Sequence, residues 1–228
     1  MRIIPHSYCC ICGREINGRY LYDRWGNRCC SEHNVKLCEC CGKIITDGQQ
    51  HLCPACRAKR VLSTDSLKPQ VILAYVKSKM KQLGLVIPKD NVAMSIVSQE
   101  RLSQLAGSPI GSTTGLTSSC GFAKSWTHHI YILDGMNMHP YRETLAHECT
   151  HVWLNERNSP LNKRSLAELE GFCNLVAYKV LLFDDSIESQ NLRRQMLANP
   201  DPVYGEGFRM MKAREEGMGW SRMLASVS

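Results

Sequence analysis

The hydrophobic and polar positions divide the chain into two parts, 1–62 and 63–228. In the second part, apolar residues recur with the spacing of helices and strands. Apolar side chains three and four positions apart between Pro69 and Leu83 predict an amphipathic helix, with proline near its start and Gly84 after its end. The first part has few apolar residues and shows no such period, so it needs another source of folding free energy.

The second part predicts a small sheet placed between helices. Its polar and apolar alternation and its Gly and Pro positions mark successive segments. They are a strand over 91–98, a short helix over 99–106 closed by Gly107, strands over 115–126 and 128–133, a long helix from Pro140 to about Glu156, a helix over 165–183, and two or more short helices after it. This order is typical of an α+β fold.

The cysteines explain what could stabilise the first part. Ten of the 13 cysteines lie between Cys9 and Cys56 in a chain of 228 residues. An odd number clustered as C-x-x-C, without an apolar leader in MRIIPHSYCC, indicates metal binding rather than disulfides. We therefore expect a reducing compartment, the cytoplasm. No apolar run has the length of a membrane span, so we expect no membrane association.

The two halves of the first part repeat one arrangement of metal ligands. Each half has a C-x-x-C-G turn followed by a second close pair of ligands, which suits tetrahedral zinc. The predicted sets are Cys9, Cys12, Cys30 and His33 for one structural zinc, and Cys38, Cys41, Cys53 and Cys56 for the other. Cys10, Cys29 and Cys40 could each replace a neighbour; the chosen residues keep the x-x spacing. A redox or disulfide cluster is the alternative.

This order of ligands resembles a LIM domain, which consists of two zinc knuckles packed in tandem. The resemblance is loose, because Cys30-x-x-His33 stands where the family has H-x-x-C. It implies a module that docks another protein. The net charge of +7 permits an acidic partner, but the knuckles lack the interleaved aromatic and basic residues of a nucleic-acid surface, so we expect no nucleic-acid partner.

The second part contains an H-E-x-x-H sequence within LAHECTHVWL, in the long predicted helix. His147 and His151 are about one turn apart, so both imidazoles can reach one ion. Glu148 lies about 100° around the helix axis, where it can hold a water molecule without binding the metal. The pattern predicts a catalytic zinc with Glu148 as general base. Chance occurrence of the motif is the alternative.

The next predicted helix resembles that of gluzincins, the thermolysin-like zinc peptidases. In that class a glutamate on the following helix is the third zinc ligand, and an acid or amide four residues later orients a ligand histidine. The resemblance assigns Glu170 and Asn174 to these roles. Glu168 is the competing carboxylate, but it has no polar partner one turn later. Asn174 replaces the commoner aspartate.

LAHECTHVWL, EGFCNLVAY and YGEGFR together resemble the DA-one family of LIM-containing zinc peptidases, over about residues 69 to 220. The resemblance implies a peptidase acting on a protein or peptide, with one catalytic and two structural zinc ions. It also implies that Tyr204 stabilises the oxyanion; a tyrosine packed at a helix start is the alternative. Plant members carry ubiquitin-interacting helices, but no such acidic helix occurs in this sequence, so ubiquitin regulation is not expected.

Two further expectations depend on this resemblance. The strand over 128–133 either pairs with an extended substrate at the sheet edge or lies in the core. His128 and His129 on it are expected at the strand surface rather than as ligands. For the whole chain, the competing hypothesis is a non-catalytic zinc-binding interaction protein with a silent peptidase-like scaffold.

Overall fold

The structure is a computed structural model that describes residues 7–23, 26–46, 50–88, 90–122 and 125–228. The chain forms two compact units, Met1–Arg60 and Val61–Ser228. The boundary therefore lies two residues before the one predicted from composition, after residue 62. Within the described residues, no helix is both long and apolar enough to cross a membrane.

The first unit contains two short antiparallel hairpins and one helical turn. The elements are β1 (Tyr20–Tyr22), β2 (Arg28–Cys30), β3 (Lys36–Leu37), β4 (Ile44–Ile45) and α1 (Pro54–Ala58). β1 pairs with β2 and β3 with β4. Asp23 links the two halves, since its Oδ2 accepts a hydrogen bond from the backbone N–H of Ile44 at 3.3 Å. Four of the five residues in the buried cluster of this unit are cysteines, and the fifth is Ile45.

The second unit has a three-stranded sheet and seven helices within its described residues. In chain order these are α2 (Lys68–Gln82), β5 (Val92–Val97), α3 (Gln99–Ala106), β6 (Gly115–Phe122), β7 (Ser125–Leu133), α4 (Met138–Glu156), α5 (Leu166–Leu181), α6 (Ile187–Ala198), α7 (Gly207–Met218) and α8 (Trp220–Val227). A 3-10 turn, Pro160–Lys163, precedes α5, and a π-helical turn, Pro202–Glu206, precedes α7. The predicted mixture of helices and a small sheet is confirmed.

The helix α3 shows how local sequence sets element ends. It covers the predicted residues, Gln99–Ala106. The Ser98 side chain accepts a hydrogen bond from the N–H of Arg101 at its start. Gly107 ends it in the left-handed region at φ 61°, which glycine adopts without a steric penalty.

The order of the strands decides between the two alternatives for the strand over 128–133. The sheet order is β5-β7-β6, so β7 is the central strand, and it pairs parallel with β5 and antiparallel with β6. The strand over 128–133 is therefore a core strand and cannot offer its edge to a substrate. Trp126, expected on the preceding strand, lies on β7. Among the described residues β6 has only one paired edge.

His128 also differs from its expected place. It is buried at 3% exposure, because side chains at alternate positions of β7 face the core with Ile130 and Ile132. Its Nδ1 lies 2.8 Å from the Ser119 hydroxyl, and its Nε2 lies 3.1 Å from Oε1 of Glu156. The side chain was expected at the strand surface, but it ties β6, β7 and α4 together.

The helices α4 and α5 form the centre of the main core. Trp153 and Tyr141 of α4 and Phe172 of α5 are essentially inaccessible to solvent. Trp220 stacks on Phe172, with ring centroids 6.2 Å apart, and donates its indole N–H to the carbonyl of Leu83. The apolar sides of α4 and α5 are thus packed in this core, and some polar side chains of the two helices, among them His147 and Glu170, meet next to it.

Candidate active site and metal centres

The first unit brings together the two predicted sets of four metal ligands. Ligand atoms within each set lie within 4.8 Å of one another. The sets are Cys9, Cys12, Cys30 and His33, and Cys38, Cys41, Cys53 and Cys56. Among the described residues, the alternative cysteines Cys10, Cys29 and Cys40 belong to neither group. Both sets could hold zinc.

The two turns have the same local geometry. Gly13 and Gly42 follow the C-x-x-C pairs with φ of 69° and 77°, where a side chain would be strained. The N–H of Gly13 donates to the carbonyl of Cys9 at 2.9 Å, and that of Gly42 donates to the carbonyl of Cys38 at 2.7 Å. A repeated turn of this kind directs two sulfur atoms and nearby amides towards one point.

The thiol pKa values within these sets shift in both directions: those of Cys9 and Cys38 are lowered, whereas burial raises those of Cys41 and Cys56. Burial raises the pKa of Cys9, but hydrogen bonds from backbone amides outweigh it and lower the pKa to about 5. The same competition lowers the pKa of Cys38 to about 7. The imidazole of His33 interacts with the sulfur of Cys12, which raises its pKa, and its buried Nε2 has no partner in hydrogen-bond geometry within the described part of the chain. A buried imidazole nitrogen beside cysteine sulfurs fits a metal ligand.

In the second unit, three ligand atoms converge between α4 and α5. Nε2 of His147 lies 3.2 Å from Nε2 of His151. Oε2 of Glu170 lies 2.9 Å from the first nitrogen and 3.5 Å from the second. Atoms bound tetrahedrally to one zinc at about 2.0–2.1 Å are roughly 3.3 Å apart. The three separations are therefore compatible with ligation of a single zinc ion.

Glu168, the competing carboxylate, lies elsewhere. Its Oε1 accepts a hydrogen bond from Arg164 at 3.0 Å, and its backbone N–H is capped by Ser165 at the start of α5. This capping role explains a glutamate at the third position of the helix. Glu168 is engaged at the helix terminus, and Glu170 is the carboxylate that meets the histidines.

Asn174 connects three parts of this site. Its Oδ1 lies 2.8 Å from Nδ1 of His147, and its Nδ2 donates to the carbonyl of Tyr204 at 2.8 Å. The second bond fixes which end of the amide faces the histidine, so Nδ1 of His147 carries the proton. Nε2 is then the nitrogen that faces His151 and Glu170, and it donates to Glu170 when protonated or binds a metal ion when neutral.

Cys173 has a contact that its sequence pattern did not indicate. Its sulfur lies 3.7 Å from Nδ1 of His151 and belongs, with both histidines, to a third group capable of metal binding. Glu170 is nevertheless the better third ligand, because its oxygen faces both Nε2 atoms, whereas Cys173 faces the opposite nitrogen of His151. Burial, with the charges of Glu170 and Glu148, raises the pKa of the Cys173 thiol well above its usual value.

The charges of this group are strongly linked. Burial raises the pKa of Glu170, but hydrogen bonds from His147 and His151 outweigh it and lower the pKa to about 2. Burial lowers the pKa of His147, but Glu170 and Glu148 raise it to about 9. The carboxylates thus favour a positive charge at this point, which is what a divalent ion supplies.

Glu148 follows His147 on α4, next to the three converging ligand atoms, and is only 6% exposed. Its Oε2 accepts a hydrogen bond from the Thr117 hydroxyl of β6 at 2.7 Å. A Cβ atom on Gly115 would be 2.7 Å from Oε1 of Glu148 and 2.5 Å from Cγ2 of Thr144, closer than real contacts allow. The strand can therefore approach α4 only because residue 115 has no side chain. The sequence analysis does not identify Gly115 and Thr117 as part of the site, although a glycine at the start of a predicted strand is a recognisable signal.

Glu148 and His147 open into a cleft of about 270 Å³. Its walls include Ser112, Gly115, Asn199 and Tyr204. The ring of Tyr204 lies 6.3 Å from that of His147 and is 46% exposed. Burial, together with the charges of Glu170 and Glu148, raises its pKa to about 12, so the phenol keeps its proton and can donate it in a hydrogen bond.

Glycines position the segment that carries Tyr204. A Cβ atom on Gly207 would lie 2.3 Å from the carbonyl oxygen of Ala167, and one on Gly171 would lie 2.3 Å from that of Gly207. The start of α7 can therefore contact α5 directly. Asp201 caps the π-helical turn by accepting the N–H of Tyr204 at 2.8 Å. The YGEG sequence is thus explained by close packing next to the site.

No family model, curated protein or solved structure matches this chain. The functional assignment therefore depends on the residues and their geometry.

Proposed function

We propose that this chain is a zinc-dependent peptidase of gluzincin type. The observation that carries the proposal is the triangle of Nε2 of His147, Nε2 of His151 and Oε2 of Glu170, with sides of 2.9 to 3.5 Å. Three protein ligands leave one tetrahedral position for water or substrate, as in catalytic rather than structural sites. Glu148, next to this triangle and at the wall of the cleft, supports catalysis over simple metal storage.

The proposed reaction is hydrolysis of a peptide bond. A bound zinc ion would polarise the peptide carbonyl and lower the pKa of a water molecule. Glu148 takes a proton from that water as its oxygen forms a bond to the carbonyl carbon, and it delivers the proton to the amine when the C–N bond breaks. Thr117 holds Oε2 of Glu148, so Oε1, beside Gly115, is the atom left to accept the proton.

Two further groups would assist. Tyr204 donates its phenol proton in a hydrogen bond to the oxygen that becomes negative during attack. Asn174 keeps Nδ1 of His147 protonated and the ring fixed. The strand β6, whose Gly115 and Thr117 contact Glu148, has one unpaired edge in the described structure, and this edge would align an extended peptide through backbone hydrogen bonds.

The test compares the wild type with Glu148→Gln on casein, an unfolded protein. We expect the wild type to cleave casein and the variant to keep its zinc and its fold while losing cleavage. A protein that binds its full complement of zinc but cleaves no unfolded protein would be the silent scaffold instead. Cleavage by the variant at the wild-type rate would remove Glu148 from the role of base.

We also propose that the first unit docks a protein partner or substrate. Tyr20 and Tyr22, at alternate positions of β1, are 45% and 68% exposed. Exposed tyrosines are typical of protein interfaces. Replacing both by alanine should raise KM for casein and leave KM for a short peptide unchanged. Equal effects on the two substrates, or none, would argue against docking.

A further inference from the structure

Glu143 lines the cleft but has no part in the proposed chemistry. It lies on α4 one helical turn before His147, on the same side of the helix. Its Oε2 accepts a long hydrogen bond, of 3.4 Å, from the Thr144 hydroxyl. The adjacent cation is engaged elsewhere, because Arg142 donates to Oδ2 of Asp184 at 2.9 Å. In the described part of the chain, Glu143 forms no salt bridge.

The charges around the cleft do not balance without a further cation. A bound zinc ion would carry two positive charges, which Glu148 and Glu170 offset. Glu143 is then left over, and no lysine or arginine occurs among the described residues that line the cleft. Burial raises the pKa of Glu143, and Glu148 adds to the rise although His147 opposes it. A carboxylate in this state is stabilised when a cation binds beside it.

We propose that Glu143 is a specificity-determining residue that binds a cationic group of the substrate next to the bond that is cleaved. This inference rests on the proposed peptidase function. Four helical residues span about 6 Å and one extended residue spans about 3.4 Å. The cation should therefore belong to one of the residues on either side of the scissile bond, rather than to a distant part of the peptide.

Two sources could supply this cation. One is the side chain of a lysine or arginine inside a longer chain, and the other is the free α-amino group of a peptide that begins near the bond. An endopeptidase would use the first and an aminopeptidase the second. Both present a positively charged nitrogen donor to a carboxylate, so Glu143 serves either.

Binding can be measured without cleavage in the full-length, zinc-loaded wild type when a ketomethylene group replaces the central peptide bond of each probe. Three probes are fluorescent hexaglycine peptides with both ends blocked, in which one central residue is lysine, norleucine or glutamate. The fourth probe is the norleucine peptide with a free amino terminus. We expect about tenfold tighter binding, by fluorescence anisotropy, of the lysine or the free-amine peptide than of the blocked norleucine peptide. Whichever of the two is preferred identifies the source of the cation.

The second comparison introduces Glu143→Gln, which keeps size and removes charge. The preference for the cation should disappear in this variant and remain in Glu168→Gln, whose carboxylate is outside the cleft lining. The inference would be overturned if the protein with Glu143 bound all the peptides equally or bound none of them. It would also be overturned if the preference for the cation survived Glu143→Gln. A failed peptidase is recognised separately, by absence of turnover in the wild type while the Glu143-dependent preference persists.

Discussion

The amide oxygen of Asn174 lies 2.8 Å from Nδ1 of His147, and this contact decides which nitrogen of the ring faces Glu170. The same amide is held from its other end by the carbonyl of Tyr204. One side chain thus sets the tautomer of a proposed zinc ligand and the position of the proposed oxyanion donor. The predictions below follow from this arrangement and from the contacts around it.

Asn174→Ala should weaken zinc binding at the H-E-x-x-H site by about 10- to 100-fold, because His147 loses the acceptor that orients it. Competition with a zinc chelator measures the affinity. Asn174→Asp keeps that acceptor and should bind zinc at least as tightly as the wild type, although it loses the donor to Tyr204. An alanine variant that binds zinc like the wild type would show that Asn174 does not orient His147.

Thr117→Val should lower kcat by about 10-fold or more and leave KM and zinc content unchanged, because a hydrogen bond to a charged carboxylate contributes about 1.5–3 kcal/mol. Thr117→Ser should restore most of the rate. Steady-state kinetics on a casein-derived peptide provide the comparison. Thr127→Val, an exposed threonine on β7, is the control. Equal rates in the valine and serine variants would mean that the hydroxyl is unimportant.

Gly207→Ala should destabilise the second unit by about 1–3 kcal/mol, because the new methyl group would lie 2.3 Å from a backbone carbonyl. Gly217→Ala in the same helix meets nothing within 4 Å and should be neutral or stabilising. Urea denaturation followed by tryptophan fluorescence measures both. Similar free energies of unfolding for the two variants would contradict the close packing of α7 on α5.

Cys9→Ala should remove one zinc ion from the first unit and expose its turn to proteolysis, because a knuckle with few apolar contacts depends on its metal. Cys10→Ala should keep all its zinc, since Cys10 is exposed and lies outside the ligand group. Native mass spectrometry counts the ions. Loss of a zinc ion in Cys10→Ala but not in Cys9→Ala would identify Cys10 as the ligand instead.

The parts of the site that lie close together in sequence could be predicted from it. His147 and His151 share a helix face, and Glu170 and Asn174 are one turn apart on the next helix, so helical periodicity places each pair. The two cysteine-rich ligand sets follow the same logic, since C-x-x-C and a glycine form one local turn. In each case a short segment contains both the residues and the geometry that joins them.

The contacts that cross between distant elements could not be predicted in this way. Thr117 and Gly115 reach Glu148 only because β6 lies beside α4, and strand order is set by packing of the whole unit. For the same reason, the sequence leaves open whether the strand over 128–133 lies at an edge or at the centre of the sheet, and in the structure it is central. Cys173 approaches His151 through the packing of α5 against α4, which its apolar sequence context does not reveal.

The central claim is that His147, His151 and Glu170 hold a zinc ion in addition to the two in the cysteine-rich unit. Native mass spectrometry of the full chain, after saturation with zinc and removal of the excess, tests it directly. We expect about three zinc ions in the wild type and in His129→Ala, and about two in His147→Ala. The same number of ions in the wild type and in His147→Ala would contradict it.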